Sequence, residues 1–289
     1  MILSSSTTVE AALRQAAGRL ASHSTSPALD AELLLGAVLG IGRPALITRA
    51  AEPLAAPAFD AYQALIEERL GGVPVAYLTG RREFWSLALM VTPAVLVPRP
   101  ESEVLVETAL TVLPRMQARS VLDLGTGSGA IALAIASERP RARVTGVDVS
   151  PAALGVAREN ARALGLPEVT WRLGSWFDAV PGERFDVVVA NPPYVADGDP
   201  ALAALAAEPA LALCAGPEGL DAIAAIIEHA PSHLEPGGWL MLEHGSTQYR
   251  EVARALERRG FRDIRCHDDY SGLPRLTRGS IHPLHQEYP

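Results

Sequence analysis

The sequence contains no lysine. All 25 of its basic residues are arginine, set against 33 acidic ones, for a net charge of −8. Nonspecific binding to nucleic acid depends on neutralising several phosphates at once, so this balance argues against a polyanion-binding role and leaves room only for a local basic face. The missing lysine goes with abundant alanine, glycine and proline; it reads as genome composition and carries no functional weight. Cysteine is scarce too. Cys214 and Cys266 alone make no disulfide framework, and both are expected to be inert small apolar residues. Long apolar runs are missing: the longest, Leu33 to Gly42, is far short of the roughly 20 residues a membrane span needs. Met1-Ile2-Leu3 passes straight into serines with no basic start, which predicts no secretory signal. The expectation is a cytoplasmic, monomeric protein with no membrane or direct nucleic-acid partner.

What is present is an ordinary folded composition, 48% hydrophobic and 20% charged over 289 residues, enough for one large domain or two modest ones. Residues 1–82 read as a small helical domain. Thr7 and Glu10 have capping-box spacing, and Val9, Leu13, Ala16, Ala17 and Leu20 follow at helical intervals. Ser26-Pro27 opens a second helix, and a third runs from about Pro57 to Leu70, ending at Gly71-Gly72. Residues 83–100 read as a hairpin linker: Phe84 to Val91, a break at Pro93, then Val95-Leu96-Val97, with Pro98 and Pro100 ending the pattern.

From residue 101 to 289 helices and strands alternate, which predicts an α/β domain. Strands are expected at Ser120–Leu124, Val144–Val149, Val169–Leu173, Asp186–Ala190 and Trp239–Glu243, with two further short ones near Phe261–Cys266 and Leu276–His282. Helices are expected at Ala130–Ser137, Ala152–Leu164, Leu220–His229 and Gln248–Gly260. Val187-Val188-Val189 is apolar on both faces, as in a parallel sheet covered by helices on each side. The alanine-rich stretch Ala201–Ala215 is expected to be a loop with short helical turns.

A strand runs into glycines and then a helix at Val121-Leu122-Asp123-Leu124-Gly125-Thr126-Gly127-Ser128-Gly129. Glycine permits backbone conformations closed to other residues and lets a ligand approach the main chain. Asp148 stands 19 residues beyond Gly129 at the end of the next strand, where a carboxylate can accept both hydroxyls of a ribose. A dinucleotide loop usually reads G-x-G-x-x-G, whereas this one reads G-x-G-x-G with Asp123 two residues before it. That spacing resembles the first motif of S-adenosylmethionine-dependent methyltransferases, in which the loop backs the amino acid part of the cofactor. A ligand-free glycine turn and a nicotinamide site are the alternatives.

Asn191-Pro192-Pro193-Tyr194 follows directly on a central strand, at the end facing the ligand crevice of an open sheet. The two prolines hold Asn191 and Pro192 out of helix and supply no N–H, so the Pro192 carbonyl can point into a pocket. The nitrogen of a planar NH2 group is a poor nucleophile because its lone pair is delocalised. The Asn191 side-chain oxygen and the Pro192 carbonyl can accept its two hydrogens, orient it, and bind it more tightly as positive charge develops. Tyr194 offers a ring face to pack on a planar group. A rigid turn without chemistry is the bland alternative, weakened by the position of the motif downstream of the glycine loop and Asp148.

This combination resembles the amino-methyltransferases of planar nitrogen, acting on adenine N6, cytosine N4, ribosomal RNA guanines or protein glutamine, and Asn-Pro-Pro-Tyr alone does not choose among them. Pro74-Val75-Ala76-Tyr77-Leu78-Thr79-Gly80, Glu83-Phe84-Trp85 and Leu96-Val97-Pro98-Arg99-Pro100-Glu101-Ser102-Glu103 are similar to the release factor glutamine methyltransferases, the PrmC/HemK family. Glu208-Pro209, Glu243-His244-Gly245, Asp269-Tyr270, Arg275 and Gly279 match as well. The resemblance implies a doubly wound, seven-stranded Rossmann-like sheet and methylation of the glutamine in the Gly-Gly-Gln loop of class I peptide chain release factors. It implies that Gly125, Thr126, Gly127, Ser128, Gly129 and Asp148 bind S-adenosylmethionine, that Trp176 flanks the adenine, and that Asn191 also lies at the cofactor. Asn191, Pro192, Pro193 and Tyr194 would hold the substrate, with Asn191, Pro192 and Tyr194 carrying the catalysis. Ser102 stands where the family has threonine and keeps the hydroxyl. A glutamine methyltransferase of a ribosomal protein and a nucleobase methyltransferase are the rival readings.

Asp123 and His244 are expected to be structural, and Trp85 and Trp171 to be packing residues. The spacing of His267, His282 and His285 matches no common zinc pattern, so no metal is expected.

Overall fold

The structure, a computed structural model, describes residues 7–281. They divide into two compact units, one ending at Arg81 and taking in Ala204–Ala207, the other formed by Arg82–Ala203 and the chain from Glu208 onward.

The first unit is helical: α1 Val9–Leu20, α2 Pro27–Leu39, α3 Arg43–Thr48, α4 Ala56–Leu70 and α5 Val75–Thr79. Its first cap is Thr8, not the expected Thr7. Thr8 is extended (φ −75°, ψ 160°) and its side chain accepts from the Ala11 amide at 3.2 Å. Thr7 is engaged elsewhere, its carbonyl accepting the Leu54 amide at 2.8 Å. Pro27 opens α2 as anticipated, but the Ser26 side chain makes no capping bond; its carbonyl accepts from Asp30 instead. The short helices α3 and α5 were not expected. Each is too brief to show a periodic stripe, and their sequence signals are Pro44 and Pro74 at the N-terminal ends. Leu20, Leu34, Leu35, Leu46, Tyr62 and Ile66 form the core. At such sites a Leu→Ala change costs about 2–5 kcal/mol. The buried Asp30 is answered by Arg69 at 2.9 Å.

The second unit begins with a two-stranded hairpin, β1 Arg81–Phe84 and β2 Leu87–Met90. The expected second arm at Val95–Val97 is not a strand. The turn comes earlier, at Trp85-Ser86, with φ of 54° and 58°, the left-handed pair of a tight hairpin turn. Neither residue advertises that geometry. Trp85 is held by tertiary bonds: its amide donates to Glu103 at 2.9 Å and its indole to Glu138 at 3.2 Å.

The chain continues through α6 Glu103–Val112, β3 Ser120–Leu124, α7 Ala130–Glu138, β4 Arg143–Asp148, α8 Pro151–Ala163, β5 Thr170–Leu173 and β6 Phe185–Ala190. It ends with α9 Ala201–Ala204, α10 Asp221–His229, β7 Leu234–Glu243, α11 Tyr249–Arg258, β8 Arg262–Asp268 and β9 Pro274–Ser280. Seven strands form one sheet in the order β5-β4-β3-β6-β7-β9-β8. β3 to β7 pair in parallel, and β9 runs antiparallel to β7 and β8. This is the expected doubly wound α/β sheet. The apolar triplet of β6 explains the two layers: Val187 and Val189 enter one core with α6 and α7, and Val188 enters the other with α10 and α11. Strand order reverses at β3 and β6, which opens a ligand crevice beyond their carboxyl ends. Among the described residues no helix is long and apolar enough to cross a membrane.

Candidate active site

A cavity of about 370 Å³ opens at that reversal point, within the range of small-molecule sites. Of the residues anticipated from sequence, Gly125, Thr126, Gly127, Ser128, Asp148, Trp176, Asn191 and Pro193 line it; Gly129, Pro192 and Tyr194 do not.

The glycine loop is held by the strand beside it. The amides of Gly125 and Thr126 both donate to the Val147 carbonyl at 2.9 Å. Gly125, Gly127 and Gly129 have φ of 71°, 54° and 81°, a region that penalises side chains. A Cβ at Gly125 would lie 3.4 Å from the Trp176 ring, and one at Gly129 only 2.9 Å from Trp171. Trp171 is thus a packing residue, as expected. Gly129 serves the close approach of helix and strand, which accounts for its place outside the cavity.

Asp123 is fully buried and braces the loop, its Oδ2 accepting from Thr126 Oγ1 at 2.6 Å and the Ala132 amide at 3.2 Å. Its Oδ1 has no hydrogen-bond partner, and burial pushes the carboxyl up to about 7. A folded-state pKa above the unfolded value means the native chain holds the extra proton, so stability from this group is lost as pH rises from about 4 through 7. Asp123→Asn is therefore expected to gain stability relative to the parent between pH 5 and pH 8, measured as urea midpoints. A constant difference across that range would contradict the burial effect.

Asp148, at the end of β4, is pinned by two amides: Gly127 N donates to Oδ2 at 2.9 Å and Ser150 N to Oδ1 at 2.8 Å. Each carboxylate oxygen keeps a further lone pair toward the cavity. Trp176 takes φ 45° and starts a short 3-10 turn to Ala179, which sets its ring beside the glycine loop.

At the end of β6, Asn191 Nδ2 donates to Ser102 Oγ at 3.1 Å. No described residue donates to Asn191 Oδ1 or to the Pro192 carbonyl. Pro192 is buried, so what it can offer is its backbone. Tyr194 is packed behind the corner; its hydroxyl lies 3.4 Å from Glu243 Oε1, and burial pushes it up to about 12. The chain leaves the corner under restraint. Gln248 Nε2 donates to the Tyr194 carbonyl at 3.1 Å, and a Cβ at Gly219 would lie 2.2 Å from that carbonyl oxygen.

Several further residues shape the site through contacts that their sequence context does not disclose. Asn160, on the inner face of α8, donates to the Ser128 carbonyl at 2.9 Å and the Met90 carbonyl at 3.0 Å, and accepts from Met90 N. Its signal was a polar residue on the apolar stripe of Ala153, Ala157 and Ala161. Glu208, almost fully buried, accepts from Val97 N at 3.0 Å and pairs with Arg99, holding the segment whose Leu96 and Pro98 line the cavity. Leu211 and Cys214 line it too.

His244 is structural, as anticipated: fully buried, Nδ1 donates to the Gly245 carbonyl at 2.9 Å and Nε2 accepts from Thr277 Oγ1 at 2.7 Å. Burial lowers its pKa and keeps it neutral. Burial also raises the Cys266 thiol. Among the described residues no cluster of three His, Cys, Asp or Glu stands ready for a metal ion; His282 and His285 lie outside the described residues.

Comparison with known proteins gives the geometry a lineage. The methyltransferase small domain matches residues 101–211 and the PrmC N-terminal domain residues 11–80. The release factor glutamine methyltransferase of Xylella fastidiosa (strain Temecula1) is 50% identical over 253 residues, covering 87% of this chain and 92% of that protein. Its namesake from Escherichia coli K12 is 43% identical over 269 residues, covering 92% and 96%. Among solved structures, the Thermus thermophilus 16S rRNA N2 G1207 methyltransferase, in complex with AdoMet and guanosine, superposes with a TM-score of 0.54. It is 21% identical over 70% of this chain and 50% of that one, a likeness of fold alone. With a seven-stranded doubly wound sheet, a glycine loop and a diproline corner at its reversal point, and relatives that match across both units, this chain belongs to the release factor glutamine methyltransferase family.

Proposed function

We propose that this enzyme transfers a methyl group from S-adenosylmethionine to the side-chain amide nitrogen, N5, of the glutamine in the Gly-Gly-Gln loop of class I release factors. The observation that carries the reading is the orientation of Asn191. Its Nδ2 is taken by Ser102, so its Oδ1 is the end left to accept, beside a Pro192 carbonyl with no donor from the described residues. Two acceptors at a rigid corner suit the two hydrogens of a planar NH2 group. They fix the plane of the amide so that its nitrogen faces the donor, and they bind it more strongly as that nitrogen becomes cationic. The second hydrogen leaves the nitrogen as a proton once the new N–C bond has formed, so no histidine or carboxylate base is required.

The cavity suits the methyl donor. Gly125 and Gly127 line the cavity with bare backbone, the Asp148 oxygens have lone pairs for two ribose hydroxyls, and the Trp176 ring offers a flat apolar wall for an adenine. When bound, S-adenosylmethionine supplies an electrophilic sulfonium methyl and leaves as S-adenosylhomocysteine. The helical unit, matching the PrmC N-terminal domain, takes the release factor in this reading, with the methyltransferase unit beginning near residue 101. The enzyme works in the cytoplasm as a monomer and needs neither membrane nor nucleic acid.

Incubation with labelled methyl donor tests the proposal. Label is expected on a release factor and absent from its loop Gln→Ala variant and from an oligonucleotide pool. Label on the oligonucleotides alone would overturn it in favour of a nucleobase substrate.

A further inference from the structure

The exposed apolar side chains of the second unit are unevenly placed. Seven large ones stand exposed among the described residues, and all but Met116, which precedes β3, are at the crevice end of the sheet. Val149 and Leu211 line the cavity, and Leu173 ends β5 on the donor's flank. Tyr249, Tyr270 and Leu273 do not line it; they come after β7, on the other flank of the Asn191 corner. A small ligand over the glycine loop leaves these three uncovered. Single exposed apolar residues are ordinary, but Tyr270 and Leu273, 64% and 48% exposed, share a turn built to hold them.

That turn joins β8 to β9. β8 runs parallel to β7, so the turn rises at the same end of the sheet as the diproline corner. Ala190, Leu242, Thr277 and Cys266 form one row across β6, β7, β9 and β8. Asn191 leaves this row directly, and the turn rises beyond it from β9, two strands along, about 10 Å away at ordinary sheet spacing. Buried Asp269 organises the turn: Oδ1 accepts from the Ser271 amide at 2.9 Å and the Leu273 amide at 3.1 Å, and Oδ2 from Arg275 Nε at 3.2 Å. The Asp269 amide donates to the Leu273 carbonyl at 2.8 Å. Arg275 carries the restraint to the end of β7, where its Nη1 donates to the His244 carbonyl at 3.3 Å. The Asp269-Tyr270 and Arg275 of the sequence are thus one device, an anchored turn with two side chains facing out.

We propose that Tyr270 and Leu273 form a docking surface for the body of the release factor, beside the loop that enters the crevice. The inference rests on the release factor reading and adds a contact to it. With the donor over β3 and β4, the flank over β7 and β9 is the side of the corner left to the substrate protein. A loop whose glutamine reaches Asn191 brings the protein surface behind it across this rim. An anchored turn loses little freedom on binding, and a tyrosine is among the side chains that concentrate energy at protein contacts. The contact is the same before and during methyl transfer, so it belongs in KM and not in kcat.

The double variant Tyr270→Ala, Leu273→Ala is expected to raise KM for an intact release factor about 10-fold or more. Its kcat at saturation, its S-adenosylmethionine affinity by calorimetry and its thermal midpoint should stay as in the wild type. The Kd of the release factor, titrated in the presence of S-adenosylhomocysteine, should weaken by the same factor. Tyr270→Phe, which keeps the ring, is expected to stay near the wild-type KM. An unchanged KM and Kd, a fall in kcat at constant KM, or equal damage from Phe and Ala at position 270 would each overturn the inference. So would a wild-type dimer that the double variant splits into monomers at constant KM, since a second copy would then own the surface. Should the double variant fail to fold, Tyr270→Ala alone decides. If the wild type places no label on a release factor, the underlying reading falls instead.

Discussion

Asn191→Ala is expected to bind S-adenosylmethionine with normal affinity and to lose about 100-fold or more in turnover on a release factor, the loss seen when a preorganised transition-state partner is removed. Asn191 lines the cavity and its Nδ2 is held by Ser102, which leaves Oδ1 as the free end of the amide, so truncation removes an acceptor that was already oriented and needed no reorganisation. The corner itself should survive, because the backbone of residues 191–194 is restrained by two prolines and by Gln248 and Gly219. Calorimetry of donor binding beside single-turnover methyl transfer makes the comparison. Near-normal turnover would remove Asn191 from the chemistry.

Asp148→Ala is expected to weaken S-adenosylmethionine binding by roughly 1.5–3 kcal/mol, the worth of hydrogen bonds to a charged group, or about 10- to 150-fold in Kd. Part of the loss has a structural source: the Gly127 and Ser150 amides also lose their acceptor. Thermal unfolding without the donor measures that share. An unchanged Kd would rule out a ribose contact at this carboxylate.

How far sequence reaches depended on whether a residue's role was local. The strand Ser120–Leu124 runs between its expected limits, and the other strands of the sheet differ by up to five residues at their ends, because the central ones carry short apolar runs such as Val187-Val188-Val189 while the edge strands are mixed in polarity. The glycine loop and Asn191-Pro192-Pro193-Tyr194 were readable for the same reason: their backbone demands are written in glycine and proline. The hairpin was misplaced because Trp85 and Ser86 adopt φ above 50° under bonds from Glu103 and Glu138, residues distant in the chain. Tyr194, assigned to the substrate as a ring face, lies outside the cavity lining and is packed toward Glu243; the letters of a motif do not say which side of a corner a side chain takes. Ser102 was noted as a conservative departure, but its bond to Asn191 joins positions 89 residues apart. Glu208 was legible only as a point of family likeness, and the contacts that it, Asn160 and Gln248 make are hidden for the same reason, each tying loops that only the folded sheet brings together.

The central claim is that Asn191 Oδ1 and the Pro192 carbonyl grip both hydrogens of a substrate amide. The most direct measurement is a crystal structure of the enzyme with S-adenosylhomocysteine and a release factor carrying its glutamine loop. The glutamine nitrogen is expected within about 2.7–3.2 Å of both oxygens, with Asn191 Nδ2 still on Ser102. A glutamine side chain held by other groups, or an Asn191 turned so that Nδ2 faces it, would contradict the claim.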